Sequence, residues 1–164
     1  MQSLLARVRR LLAAFFSRLM RTSFAHRVFT PLIAPMHLRL YRLTRGRFHF
    51  SALLVPSLVL ISTGAKSGLR RETPLMCWPR PDGSYLVCGS NWGRPEHPAW
   101  TSNLLANPDA HIVVSRHQVP VRAELLQGAD RDAAWPVLEA QWPRYREYER
   151  RAERPLRIFR LIPR

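Results

Sequence analysis

Apolar positions at the start of the chain recur at helical spacing. Leu4, Leu5, Val8, Leu11, Leu12, Phe15, Phe16, Leu19 and Met20 fall on one half of a 3.6-residue repeat; Arg7, Arg10, Arg18 and Arg21 fall on the other, with Arg9 near the boundary. The pattern predicts an amphipathic helix. Pro31 and Pro35 limit any helix in residues 21–50, which read as a linker or a short second helix. After Pro56 the period changes. Segments 58–62, 73–78, 85–89, 112–116, 119–126 and 157–162 are short, rich in β-formers and separated by turn signals such as residues 64–68, Pro81-Asp82-Gly83 and the corner at 115–118. Helices are expected at 98–106, closed by Asn107-Pro108, and at 130–141, opened by Asp130 as cap, with a further helix near 144–154. On the first of these, Trp100, Asn103 and Leu104 share a face. Strands that do not alternate regularly with helices predict a mixed α+β, mainly β fold, a β-barrel of about six strands with flanking helices. The expected division is residues 1–50 as basic helix and linker and residues 51–164 as the barrel domain.

Charge distribution adds to this picture. The net charge is +15, yet residues 1–71 contain no Asp or Glu beside twelve arginines and Lys66, while the remainder holds 13 basic and 11 acidic residues. An excess confined to the first half belongs to an anionic surface or an anionic ligand. Nucleic acid is disfavoured, because the basic residues alternate with Leu and Phe rather than with Ser, Gly or stacking aromatics. A helix lying in a bilayer interface with its arginines at anionic head groups suits the mixture. It does not span: its uncharged run, residues 11–17, falls far short of the roughly 20 residues a crossing needs. The run 48–65 is broken by His49, Pro56 and Gly64. Docking on the domain's own core and an organelle transit peptide remain open, whereas interleaved arginines and the lack of a small-residue cleavage site argue against a secretory signal. The expected location is the cytoplasm, peripheral at the inner face of the cell membrane.

Two loops gather candidate chemistry. Thr63-Gly64-Ala65-Lys66-Ser67-Gly68, followed by Arg70 and Arg71, holds two glycines, hydroxyls, the only lysine and two guanidinium groups. Successive amides in such a turn form an anion nest and adjacent cations add charge-assisted hydrogen bonds, so a phosphate or polycarboxylate is the natural ligand; a basic hairpin turn without ligand is the alternative. The spacing is not that of a nucleotide P-loop. Ser90-Asn91-Trp92-Gly93-Arg94 leaves a strand and enters a helix through Glu96-His97-Pro98-Ala99-Trp100, an arrangement suited to a flat heteroaromatic ring, unless Trp92 and Trp100 are only core aromatics. His26, His37, His49, His97, His111 and His117 lack paired ligand spacing, so no metal site is expected. Cys77 and Cys88 have neither zinc nor redox spacing and read as buried strand residues in a reducing compartment. No esterase elbow or thiol-enzyme signature is present, and a bound cofactor is the economical source of reactivity.

The stretch Leu60-Ile61-Ser62-Thr63-Gly64-Ala65-Lys66-Ser67-Gly68, then Arg71 and Thr73-Pro74-Leu75, Ser90-Asn91-Trp92-Gly93, residues 97–108, Trp135-Pro136 and Trp142-Pro143-Arg144-Tyr145-Arg146-Glu147-Tyr148, resembles the actinobacterial deazaflavin-dependent nitroreductase and quinone reductase family over roughly residues 55–164. The resemblance implies a split β-barrel, FMN-binding-like, that binds coenzyme F-420 (8-hydroxy-5-deazaflavin) and passes its hydride to a quinone or nitro compound. It implies Lys66, Ser67 and Arg71 at the phosphate and oligoglutamate tail and Thr73, Pro74 and Leu75 along the cofactor's path. Ser90, Asn91, Ala99, Trp100 and Asn103 would surround the ring, and Ala65, Met76, Cys88, Gly89, Thr101 and Ser102 complete the implied cofactor contacts. Ser90, Tyr145 and Tyr148 are the implied catalytic residues. Ser90 would stabilise charge on the acceptor and the tyrosines would orient or protonate it. Met76 and Asn91 stand where a relative has an aromatic and a lysine, Trp92 where it has a glycine, and Arg94 where it has a small residue. Tail binding survives such changes; acceptor choice need not. An FMN-, haem- or lipid-binding barrel and a non-catalytic basic membrane or nucleic-acid adaptor are the alternatives. A homodimer is open.

Overall fold

A computed structural model describes residues 56–164. The expected amphipathic helix and the linker to residue 50 lie outside the described residues. Seven strands form one sheet: β1 (Ser57–Thr63), β2 (Arg70–Met76), β3 (Trp78–Pro79), β4 (Tyr85–Gly89), β5 (Asp109–Val114), β6 (His117–Leu125) and β7 (Arg157–Pro163), in the order β2-β1-β5-β6-β7-β4-β3. Three helices accompany it: α1 (Ala99–Ala106), α2 (Gly128–Gln141) and α3 (Tyr145–Ala152).

The sheet order defines the architecture. β2 and β3 occupy opposite edges, yet only Cys77 separates them in the chain, so the sheet must curl until its edges meet there. The result is a split β-barrel. One strand more than expected arises at this point, because the segment 73–78 divides at Cys77: residues to Met76 pair with β1, whereas Trp78 and Pro79 pair with Leu86 and Tyr85 of β4. β2 also begins at Arg70, three residues before the expected Thr73. As an edge strand it tolerates Pro74, which has no N–H to give a second neighbour.

β1, SLVLIST, is buried at its five central positions, consistent with its place between β2 and β5. β5 and β6 are joined by Ser115 and Arg116, both at positive φ (48° and 71°), the geometry of a tight primed hairpin turn. The segment expected as a strand to residue 116 therefore ends at Val114. Helix α2 starts at Gly128, with Gln127 extended in the cap position; Asp130 lies in its first turn and does not cap it. There its carboxylate still complements the helix dipole.

Strand alternation sorts the core in two. Val87 of β4 and Phe159 and Leu161 of β7 join Leu58, Leu60, Trp100, Leu104 and Ile112 in one cluster, beneath α1. Leu86, Cys88 and Ile158 face the other way and pack with Trp78, Trp135, Leu138, Trp142, Tyr145 and Tyr148 beneath α2 and α3.

Candidate functional site

The turn between β1 and β2 closes on itself. The Gly64 amide donates to the Leu69 carbonyl (2.8 Å) and the Gly68 amide to the Gly64 carbonyl (2.8 Å). A Cβ on Gly64 would lie 2.6 Å from Ser67 Oγ and 3.2 Å from the Leu69 carbonyl oxygen, so a side chain there would crowd the turn and displace the Ser67 hydroxyl. Gly68 sits at φ +65°, in the left-handed region. The loop is fastened to the barrel by buried Asn103 of α1, whose Oδ1 accepts from the Ala65 amide (3.0 Å) while its Nδ2 donates to Ser62 Oγ (3.3 Å). Ser67 Oγ accepts from the Leu69 amide (3.3 Å) and from Arg71 Nη2 (3.4 Å). Lys66, Ser67, Arg70 and Arg71 are exposed. Arg70 pairs with Glu72 (3.1 Å), whereas among the described residues neither Lys66 nor Arg71 has a carboxylate partner.

β2 presents its residues alternately. Arg71, Thr73 and Leu75 stand opposite Ser62, Leu60 and Leu58 and share the face on which Leu75 meets the first core. Pro74 and Met76 take the opposite face, and Met76 packs against the second core. A similar division occurs at the end of β4. Cys88 turns to the second core, where burial pushes its thiol pKa up, while Gly89 lies beneath α1. A Cβ on Gly89 would come within 2.6 Å of Thr101 Cγ2, so the missing side chain is what lets α1 lie against the strand.

Beyond Gly89 the chain enters an unusual turn. Asn91, Trp92 and Gly93 are all at positive φ (46°, 57° and 73°). For an L-residue that conformation costs about 1–2 kcal/mol, and for a bulky one it is rare. It is held from outside. Arg151 of α3 donates to the carbonyls of Trp92 and Gly93, the latter at 3.3 Å. Arg154 donates to the carbonyls of Arg94 (3.2 Å), Pro95 (2.7 Å) and Glu96 (2.9 Å) and meets His97 Nδ1 at 2.9 Å. Within the turn, Asn91 Nδ2 donates to the Glu96 carbonyl (2.9 Å). Gly93 permits the close approach, because a Cβ there would lie 2.8 Å from Arg151 Nε and 3.1 Å from Tyr148 Cα. Ser90 and Asn91 are half-buried, and Trp92 is one-third exposed with its ring 6.4 Å from Tyr148, edge-on.

At the start of α1, Thr101 Oγ1 donates to the Pro98 carbonyl (2.8 Å) and accepts from Arg157 Nη1 (3.1 Å), which also reaches Ser102 Oγ (3.3 Å). Ala99 and Ser102 are exposed, whereas Trp100 is buried against Phe159 (5.8 Å between ring centres). Tyr145 and Tyr148 are buried, their rings 6.2 Å apart and edge-on. Burial raises both phenol pKa values, most for Tyr145, so both hydroxyls keep their protons; Trp142 donates to that of Tyr148.

The structure thus gathers Ala65, Lys66, Ser67, Arg71, Thr73, Leu75 and Asn103 on the α1 side of the sheet, and Ser90 and Asn91 beside Trp92 and Tyr148. Met76 and Cys88 turn away from the first group, and the two ends of the Asn103 amide are spent on Ser62 and Ala65. The sequence reading missed Arg151, Arg154 and Arg157. Their partners include backbone carbonyls 58 to 60 residues away, which leave no mark in local spacing. The donor set fits a polyanion: among the described residues Lys66 and Arg71 have no carboxylate partner, and they stand exposed beside a tight, glycine-bearing turn.

A family model described as F420-H(2)-dependent quinone reductase matches residues 35–163. A Mycobacterium tuberculosis protein of that description is 38% identical over 133 residues, which cover 79% of this chain and 89% of the relative. A solved structure of an F420-H2 dependent reductase is 33% identical with a TM-score of 0.58, over 65% of this chain and 93% of that one. Another, described as a domain-swapped dimer, is 29% identical with a TM-score of 0.60, over 80% and 98%. Sequence match and barrel topology coincide, and the chain belongs to the F420-H(2)-dependent quinone reductase family of oxidoreductases.

Proposed function

We propose that this chain binds reduced coenzyme F-420 through the β1–β2 turn and reduces a quinone, or a nitro compound, at a membrane surface. The observation that carries the reading is the acid-free turn, fastened to α1 by Asn103, in which Lys66 and Arg71 have no carboxylate partner among the described residues. Lys66, Ser67, Arg71 and the Ala65 region bind the phosphate and carboxylates of the tail. Thr73 and Leu75 line its path, while Pro74 and Met76 back the strand from its other face. Gly89, Ser90 and Asn91 with Ala99, Trp100, Thr101, Ser102 and Asn103 shape the ring end, Asn103 by fixing the turn and Gly89 by admitting α1, while Cys88 packs into the second core behind them. When bound, the reduced deazaflavin supplies a hydride. Ser90 offers a hydroxyl to charge that develops on the acceptor oxygen. Tyr145 and Tyr148, kept neutral by burial, hold protons for the acceptor side.

Equilibrium titration with the coenzyme tests this reading. Binding should weaken by at least about tenfold in the Lys66→Ala/Arg71→Ala variant, the loss of two charge-assisted contacts. Stopped-flow mixing with reduced coenzyme and menadione should show coenzyme oxidation. Unchanged affinity in the variant, or tighter binding of FMN than of F-420, would defeat the reading. We assign residues 1–50 to the membrane surface and residues 51–164 to the catalytic barrel, at the inner face of the cell membrane. The helical pattern of Arg7, Arg10 and Arg18 supports this; among the described residues no helix is long and apolar enough to cross. A homodimer is proposed from the relative described as a domain-swapped dimer.

A further inference from the structure

Trp92 occupies a backbone conformation that glycine adopts freely and that a bulky L-residue rarely does. Arg151 holds its carbonyl, Arg154 holds the three carbonyls that follow Gly93, and the Asn91 side chain closes the turn on Glu96. A strained conformation fixed by so many neighbours points to a use for the side chain it displays. Trp92 is not core filling: the residue is 36% exposed. It lies between Ser90 and Asn91, which precede it in the turn, and Tyr148, whose ring it meets edge-on at 6.4 Å. A flat, one-third-exposed aromatic at that place offers a stacking surface to a planar substrate.

We propose that Trp92 selects the acceptor, its indole presented by the clamped left-handed turn as a stacking surface for fused-ring quinones. The inference rests on the proposed reductase reading and goes beyond it by assigning the preference to one side chain. Arg151 and Arg154 are positioning residues that act through the turn. Single-ring quinones gain less from the indole, because they overlap less of it.

Full-length wild type, Trp92→Phe and Trp92→Gly are compared in steady-state reduction of menadione and of p-benzoquinone, with coenzyme affinity and melting temperature measured on each. Trp92→Gly should lower kcat/KM for menadione by about tenfold, mainly through KM. It should change p-benzoquinone by no more than about twofold and leave coenzyme affinity within about twofold. Its melting temperature should hold or rise, because glycine relieves the turn. Trp92→Phe should recover most of the menadione activity. Equal loss with both quinones, no loss with either, or a parallel loss of coenzyme affinity overturns the proposal. Failure of the wild type to bind coenzyme overturns the reading beneath it.

Discussion

Asn103 is a neutral amide, yet it reaches the β1–β2 turn 38 residues earlier in the chain. Truncation to alanine leaves the Ala65 amide and the Ser62 hydroxyl without their partner. Asn103→Ala should therefore destabilise by about 1–3 kcal/mol and loosen the turn, which urea unfolding and coenzyme titration would read together; stability loss with unaltered affinity would detach Asn103 from the site. The cysteines behave oppositely. Cys77 has its pKa pushed up to about 12 by burial, and the Cys88 thiol is raised by the same cause. At mildly alkaline pH both should resist a disulfide reagent until the protein unfolds, and prompt labelling of the native protein would contradict their burial. His97 carries a pH dependence. Burial, then Arg154 and Arg157, lower its pKa, so the folded state holds it neutral while the unfolded chain takes up a proton near the ordinary value of about 6.5. The unfolded state then binds more protons: this stability is complete above that pH and is lost as pH falls through it toward the lowered folded value. The urea midpoint should drop between about pH 7.5 and about pH 5.5, and less so in His97→Gln. A drop of equal size in the variant would assign it elsewhere.

Elements differ in how openly the sequence declares them. β1 and β4 are visible because continuous β-branched and aliphatic runs are bounded by turn residues, and α1 because Asn107-Pro108 ends it. The β5–β6 turn is obscured, since Ser115 and Arg116 adopt a geometry usually marked by Asn or Gly and nothing local announces it. The division at Cys77 is invisible for a different reason: a strand that changes edge keeps its composition while exchanging its partner. The β1–β2 turn is legible through its glycines and lone lysine. The clamp on residues 92–97 is not, because arginines that end a helix look like any solvated face until a distant loop supplies carbonyls. That clamp makes α3 a support for the second loop. Arg154→Lys keeps the charge but loses the planar fork that spans three carbonyls, so the turn should relax. Trp92 fluorescence, isolated against phenylalanine at the other tryptophans, should shift; an unaltered spectrum with intact coenzyme turnover would show the clamp to be dispensable.

At the scale of the whole molecule the two cores share β7. Phe159 is buried in the first core against Trp100, so Phe159→Ala should cost about 3–5 kcal/mol, measurable as a lower denaturant midpoint; a loss below about 1 kcal/mol would mean the barrel repacks around it. The strand also joins the hydrogen-bonded sheet. β6 pairs with β7 and β7 pairs with β4, so without β7 the ladder falls into two pieces, β2-β1-β5-β6 and β4-β3. It is the last of these strands to leave the ribosome. A nascent chain therefore carries the β1–β2 turn and the turn after β4 before either has a closed barrel behind it, and two exposed sheet edges wait for the same seven residues. Ribosome-bound chains stalled before Arg157 should consequently remain protease-sensitive and recruit chaperones, acquiring resistance only once that final segment emerges to zip the halves together.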